Sequence, residues 1–252
     1  MLEHPLTRGL DLDDPATTLL RRTIIQQKPF LRKIYEEWYE KMARWLPAPP
    51  GAVLELGSGA GFLADYIPGL ITSEIFRCAG TQVVLDGQAL PLAAGSLRGI
   101  MMTNVLHHIP DARAFLTEAA RSLLPGGVIV MIEPWYSVWS RLIYTRLHHE
   151  PFSIEERQWT HSMNGPVSGA NGALPWIIFG RDRARFEAEF PQLKVANIEP
   201  FMPFRYLVSG GVSMRTLMPA FTFPVWARLE RSLGSGMHRW AMFALIVVSK
   251  SE

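Results

Sequence analysis

The sequence predicts an α/β protein of the doubly wound class, and three observations carry that expectation. The stretch Val53-Leu54-Glu55-Leu56-Gly57-Ser58-Gly59-Ala60-Gly61 joins an apolar run to a glycine-rich turn. Buried strands of parallel sheets read as near-continuous apolar runs. Glycine permits positive φ and lets a ligand approach the backbone, so strand, glycine turn and helix together make the ligand-binding start of a doubly wound fold. Second, Leu70–Glu74 reads as another strand, and it too ends in an acid. Third, 252 residues at 48% hydrophobic suit one large α/β domain, with or without a cap.

Bulk properties narrow the function. One cysteine, Cys78, excludes a disulfide within the chain and a zinc site built on several cysteines. This fits a reducing, cytoplasmic setting. Met1–Leu20 carries Glu3, Asp11, Asp13 and Asp14 and lacks the apolar core of a signal peptide. The apolar run Met242–Val248 is far shorter than the ~20 residues of a membrane span. A net charge of +2 argues against a general nucleic-acid binder. Residues 135–240 are modestly basic and hold Trp135, Trp139, Trp159, Trp176, Trp226 and Trp240. Basic and aromatic residues together suit an anionic or amphipathic small molecule, and peripheral membrane contact stays open.

Taken in order, residues 1–22 read as a polar, loosely packed arm with a helix start at Asp14-Pro15. Phe30–Leu46 is a strong amphipathic helix: Phe30, Leu31, Ile34, Tyr35, Trp38, Met42 and Trp45 share one face. Tyr35 and Tyr39 are either core residues or site lining. A short helix is expected over Phe62–Ile67 and strands over Gln82–Leu85, Gly99–Asn104 and Val128–Ile132. A helix over Ala112–Leu124 is capped by Asp111. Beyond Trp135, the turn pairs Asn164-Gly165, Ser168-Gly169 and Asn171-Gly172 suggest a long, lid-like loop. A helix over Asp182–Phe190 and strands over Leu193–Ile198 and Met242–Val248 follow. His148, His149, Glu150 and His161 cluster in sequence, but neighbouring histidines on a helix do not face one another, and no metal site is expected.

The glycine turn decides the ligand class. A dinucleotide fingerprint requires a small residue where Phe62 stands, and no lysine follows as in a phosphate loop. The pattern E-x-G-x-G-x-G resembles motif I of class I S-adenosylmethionine-dependent methyltransferases, in the group similar to ubiquinone-synthesis enzymes. Four further pieces, in order, resemble the same family: the acid Glu74 ending the second strand, Asp86-Gly87-Gln88-Ala89-Leu90-Pro91-Leu92 after the third, Leu106-His107-His108-Ile109-Pro110-Asp111 after the fourth, and Leu124-Pro125-Gly126-Gly127 before the fifth. Leu92 departs from the family's usual phenylalanine. The resemblance covers residues 53–134.

The resemblance implies a Rossmann-like, doubly wound seven-stranded sheet whose last strand is antiparallel and slots between the fifth and sixth. With the residues on either side of the matching stretch, the chain is expected to form one methyltransferase domain over 1–252: an N-terminal arm and helix (1–50), a cofactor-binding core (51–134), and aromatic cap insertions (135–192 and 201–240) where the family pattern runs out. The implied cofactor is S-adenosylmethionine, with Glu55, Gly57, Ser58, Gly59, Gly61, Glu74, Asp86, Gly87, Leu90 and Asn104 as its site. Glu74 would bond the ribose hydroxyls, Asp86 the adenine amino group, and Glu55 would orient the loop or the methionyl amino group. Methyl transfer is an in-line displacement, and a hydroxyl or carbon acceptor also needs a base. His107 and His108 stand at the sheet edge. Neighbours on a strand end point opposite ways, so one of them, His107, is expected to face the acceptor. Arg141, Arg146, Arg205 and Arg215 are candidates to meet an anionic head group. The competing expectations are a non-catalytic S-adenosylmethionine-binding scaffold or sensor and an NAD-dependent oxidoreductase. The oligomeric state stays open.

Overall fold

In a computed structural model, β1 (Ala52–Leu56) is an interior strand, third from one edge, of a seven-stranded sheet. The structure describes residues 4–7, 11, 13–147, 150–162, 165 and 169–252. The other strands are β2 (Leu70–Glu74), β3 (Val83–Val84), β4 (Leu97–Thr103), β5 (Leu123–Pro134), β6 (Leu193–Phe201) and β7 (Phe243–Lys250), in the order β3-β2-β1-β4-β5-β7-β6. β1 pairs in parallel with β2 (Leu54↔Ile71) and with β4 (Leu54↔Ile100). β7 is antiparallel to β5 (Ile132↔Leu245) and to β6 (Ile198↔Ile246), as the family resemblance implied. The strand order reverses direction at β1/β4, where doubly wound sheets bind ligands.

Both faces of the sheet are covered. On one, α1 (Pro15–Gln27) and α2 (Pro29–Ala43) lay down Ile25, Phe30, Leu31, Ile34, Trp38 and Met42 against Val53, Met101, Val130 and Leu245. On the other, α3 (Ala112–Ser122) packs Phe115, Leu116 and Ala119 against Leu54, Ile100 and Ile129. Each fully buried large side chain contributes ~1.5–3 kcal/mol. The remaining helices lie in the back half. They are α4 (Val138–Leu147), the short α5 (Leu174–Trp176), which continues as a wider π turn over Ile177–Arg181, α6 (Arg183–Glu189), α7 (Arg205–Ser209) and α8 (Phe223–Ser232).

Several expected boundaries shift for local reasons. Helix α1 begins at Pro15 as expected, with Asp14 accepting from the Ala16 amide at 2.8 Å, but the arm expected to be loose is not. The helix is packed, not loose, because Thr17, Thr18, Ile24 and Ile25 are buried. The helix expected over Phe62–Ile67 is one 3₁₀ turn, Leu63–Asp65, stopped by Pro68-Gly69. The third strand keeps two of its four residues at the exposed sheet edge. β5 reaches back through the Pro125-Gly126-Gly127 turn to Leu123, which ends α3 earlier than expected.

Candidate active site

The carboxyl ends of β1, β2 and β4, together with the segment after β3, open into a cavity of about 330 Å³. Of the residues expected to hold a cofactor, Gly57, Glu74, Asp86, Gly87 and Asn104 line it. Gly57 holds φ +67°, and a Cβ there would meet Val105 Cγ2 at 2.5 Å, so sterics and backbone both demand glycine. Glu74 turns back over the loop and accepts from the Gly59 amide at 3.2 Å and the Ile75 amide at 3.0 Å. Burial raises its pKa. Asp86 accepts from the Gln88 backbone amide at 2.8 Å, and the Gln88 side-chain Oε1 in turn accepts from the Asp111 amide. This ties the segments after β3 and β4 together. Asn104 sits at φ 57°, a left-handed conformation that asparagine tolerates better than most residues.

Glu55, Ser58, Gly59, Gly61 and Leu90 do not line the cavity; they brace it. The Ser58 amide donates to Ser73 O, and Ser58 Oγ accepts from the Ser73 amide at 3.1 Å, which locks the turn to β2. A Cβ on Gly59 would meet Thr18 Cγ2 at 2.3 Å, and one on Gly61 the Tyr39 hydroxyl at 2.7 Å, so α1 and α2 clasp the loop. Leu90 is buried in the core, and its amide donates to Glu118. Tyr35 lines the cavity, and Tyr39 accepts from the Phe62 amide at 3.3 Å.

Glu55 is buried beneath the loop, with an oxygen 3.6 Å from where a Gly61 Cβ would lie. Burial raises its pKa from 4.5 to about 7. Between those values the folded chain holds a proton that the unfolded chain has released. Glu55 therefore favours the fold at the acid end of the window, and that contribution is lost as pH rises through 7. In urea unfolding, the stability of the wild type relative to Glu55→Gln is expected to fall by up to ~3 kcal/mol from pH 4.5 to above 7. A difference that is flat across that range would mean the carboxyl is not protonated in the fold.

The chemistry-bearing end is built on the 3₁₀ turn Leu106–His108. The expectation that one histidine faces away fails because these residues sit on a turn, not a strand. Both rings line the cavity, their centroids 4.2 Å apart. Glu133 is the last residue but one of β5 and is fully enclosed. One of its oxygens accepts from the Val105 and Leu106 amides, each at 2.8 Å, and the other meets His107 Nδ1 at 2.6 Å. Burial acts to lower the His107 pKa, but the carboxylates of Glu133 and Glu150 outweigh it and the net shift is upward. Burial and the neighbouring His107 hold His108 well below the usual imidazole range.

Glu133 and Glu150 were missed as site residues in the sequence. The signal for Glu133 was an acid at a strand end before proline, the same signal that marked Glu74. Arg21 and Thr18 of α1 also line the cavity. Of the candidate anion-binding arginines, Arg205 is buried and paired with Glu230 and Glu37. Arg141, Arg146 and Arg215 are exposed and do not line the cavity. His148, His149, Asn164 and Ser168 lie outside the described residues. The described part of the 150–173 segment is pinned across the turn. The Asn171 amide donates to His107 O, the Ala112 amide to Trp159 O, and the buried Trp159 donates to Asp182 at 3.0 Å. Lys28 is the corresponding pin in the second segment, with Nζ donating to Gly211 O and Met214 O.

A family model described as a methyltransferase domain matches residues 54–131, from β1 into β5. An uncharacterized methyltransferase of Mycobacterium sp. (strain JLS) is 28% identical over 127 residues, 45% of this chain and 46% of the relative. What these matches show of this chain is a methyltransferase domain over residues 54–131. The chain spans about half the length of the curated relatives it matches. Two solved structures share the methyltransferase fold. A chain of the complex between the Haloferax volcanii Trm112 methyltransferase activator and a methyltransferase aligns at TM-score 0.53 and 14% identity, covering 96% of this chain and all of that one. Geranyl diphosphate C-methyltransferase from Streptomyces coelicolor A3(2), solved with Mg²⁺, geranyl diphosphate and S-adenosyl-L-homocysteine, aligns at 0.54 and 12% identity, covering 100% and 89%. At these identities the likeness is one of fold.

Proposed function

We propose that this methyltransferase uses S-adenosylmethionine to methylate a small aromatic or amphipathic acceptor. One observation carries the reading: the cavity at the sheet's switch point is lined by Glu74 and Asp86 together with His107. The donor set suits the cofactor. Two carboxylates at the ends of adjacent strands are acceptors for ribose hydroxyls and an adenine amino group, and the turn offers no lysine for a phosphate. Phe62 fills the position where a dinucleotide site needs a small residue, packed edge-to-face on Tyr39 at 4.9 Å, which speaks against NAD.

When bound, S-adenosylmethionine supplies an electrophilic methyl group on a sulfonium. Glu74 and Asp86 would hold its ribose and adenine, with Gly57, Gly87 and Asn104 as the close walls. Glu55, Ser58, Gly59, Gly61 and Leu90 would keep the loop in shape. His107 would face the acceptor and handle its proton. Residues 135–192 and 201–240 would form the cap: Trp139 of α4 donates to Pro203 O and packs on Trp240 at 5.7 Å, so the two segments touch. Glu74→Ala and Asp86→Ala are each expected to weaken S-adenosylhomocysteine binding by ~1–3 kcal/mol, read by calorimetry. Unchanged affinity in both would overturn the cofactor assignment. Release of S-adenosylhomocysteine with candidate acceptors separates an enzyme from a non-catalytic scaffold.

No helix among the described residues is long and apolar enough to cross a membrane. Yet Leu217, Phe221, Val225 and Leu229 recur at four-residue intervals and are all exposed, beside the exposed Arg228, Arg231 and Arg239. Such a basic-rimmed apolar stripe suits peripheral contact with an anionic bilayer. Co-sedimentation with phosphatidylglycerol vesicles is expected for the wild type and lost in Phe221→Asp/Val225→Asp. Equal sedimentation of the two would refute the contact.

A further inference from the structure

We propose that His107, His108 and Glu150 form a binding site for one divalent transition-metal ion, of the zinc class, inside the cavity. The three side chains each offer a ligand atom, and these atoms lie within 4.8 Å of one another. His107 Nε2 is 3.6 Å from one Glu150 oxygen, and His108 Nε2 is 4.0 Å from the other. Both distances are too long for hydrogen bonds. They are close to the ~3.4 Å that separates two ligands of one tetrahedral zinc ion at bonds of ~2.1 Å.

The Nδ1 hydrogens are placed to favour an ion. His108 Nδ1 lies 3.1 Å from Gly169 O, and a carbonyl only accepts, so Nδ1 carries the hydrogen. His107 Nδ1 lies 2.6 Å from Glu133, whose other oxygen already accepts two amides, so Nδ1 carries the hydrogen there too. With Nδ1 so engaged, Nε2 is the ligand atom of each ring, and at His107 an ion would bind by displacing the Nε2 proton that the neighbouring carboxylates favour. Two imidazole nitrogens and a carboxylate oxygen thus converge on one point of the cavity, the donor set of a transition-metal ion. A buried carboxylate behind a histidine is also the usual support of a ligating imidazole, fixing its tautomer and orientation.

The ligand chemistry selects the ion. Imidazole nitrogens suit zinc and its neighbours, whereas magnesium and calcium prefer all-oxygen shells. Two histidines and one carboxylate leave a coordination position open, as in catalytic and not structural zinc sites. All three residues line the cavity, so the open position faces whatever occupies it. The ion site stands on its own geometry. Its use rests on the methyltransferase reading, in which an acceptor hydroxyl would take the open position, where the ion lowers its pKa so that it gives its proton to solvent water before its oxygen attacks. In that form the His107 lone pair serves by holding the ion instead of taking the proton itself.

The test uses the full chain, stripped with a chelator and titrated with Co²⁺ while d–d absorption is followed. The expected result is saturation at one equivalent and displacement by Zn²⁺. His108→Gln and Glu150→Gln are each expected to weaken binding at least as much as the ~10–100-fold that losing a supporting residue costs; His161→Gln, outside the cluster, is expected to leave it unchanged. Should either cavity variant fold poorly, X-ray absorption on the zinc-loaded wild type decides, with two imidazoles and an oxygen-only remainder expected. Absence of stoichiometric binding at micromolar Co²⁺ or Zn²⁺, or binding indifferent to both cavity substitutions, overturns the site. S-adenosylhomocysteine affinity is measured on the same stripped samples. Intact cofactor binding without metal binding defeats this proposal alone, and loss of cofactor binding in the wild type defeats the function reading instead.

Discussion

Glu230→Ala is expected to destabilise the fold by ~3–5 kcal/mol, the cost of stranding one member of a buried ion pair. Glu230 and Arg205 are both almost wholly enclosed. One Glu230 oxygen meets Arg205 Nε at 2.5 Å, and the other accepts from the Phe204 amide at 3.0 Å and the Arg205 amide at 2.8 Å. The guanidinium also pairs with Glu37 of α2 and lies over the Phe223 ring at 4.9 Å. Removing the carboxylate leaves a buried cation half-paired and two amides at the start of α7 without their acceptor. The loop that follows α7, from Gly210 to Met214, lines the cavity, so this variant couples stability to the site. Urea unfolding measures the loss directly, and a fall in melting temperature of ~10 °C is the thermal counterpart. A loss under ~1 kcal/mol would mean that water reaches Arg205 and the pair behaves as a surface bridge.

Arg205 illustrates where the sequence stops speaking. As a residue in a basic, aromatic stretch it was a candidate for an anionic ligand. Its partners, Glu230 and Glu37, come from α8 and α2, and only the tertiary fold shows that its charge is already met. The glycine loop, Glu74 and Asp86 were legible because their signal is local: an apolar run, a turn, an acid at a strand end. The antiparallel last strand was legible through family resemblance. The histidine end was legible only by half. The position of His107 and His108 after β4 followed from the motif, but a strand's alternation does not govern a 3₁₀ turn, and both rings share the cavity. Glu133 reaches His107 across the parallel β4–β5 pair, and Glu150 reaches it from the segment after α4. Neither contact leaves any periodic mark in the chain. The packed α1 was likewise hidden, since its buried face includes Thr17 and Thr18, which read as polar in sequence.

His107→Ala is expected to slow methyl transfer to a hydroxyl or carbon acceptor by ~10²–10⁴-fold, the range for loss of a positioned acid–base group. Cofactor affinity should not move, because Glu74 and Asp86 are held by Gly59, Ile75 and Gln88 rather than by the histidine. The argument is one of fixed direction. Glu133 is anchored by the two turn amides and grips Nδ1, so the ring cannot swing and Nε2 stays committed to the side where Glu150 approaches. A proton-handling group so held is worth most when the acceptor must lose a proton as its oxygen or carbon attacks. A neutral amine acceptor attacks first and sheds its proton afterwards, so its rate would depend little on the residue. The measurement is S-adenosylhomocysteine release at saturating cofactor, beside calorimetry and circular dichroism on the same variant. A rate within ~10-fold of wild type, with fold and cofactor binding intact, would remove His107 from the chemistry and point to an amine. Loss of the fold or of cofactor binding would instead make the ring a packing element, there to satisfy the buried Glu133 carboxylate.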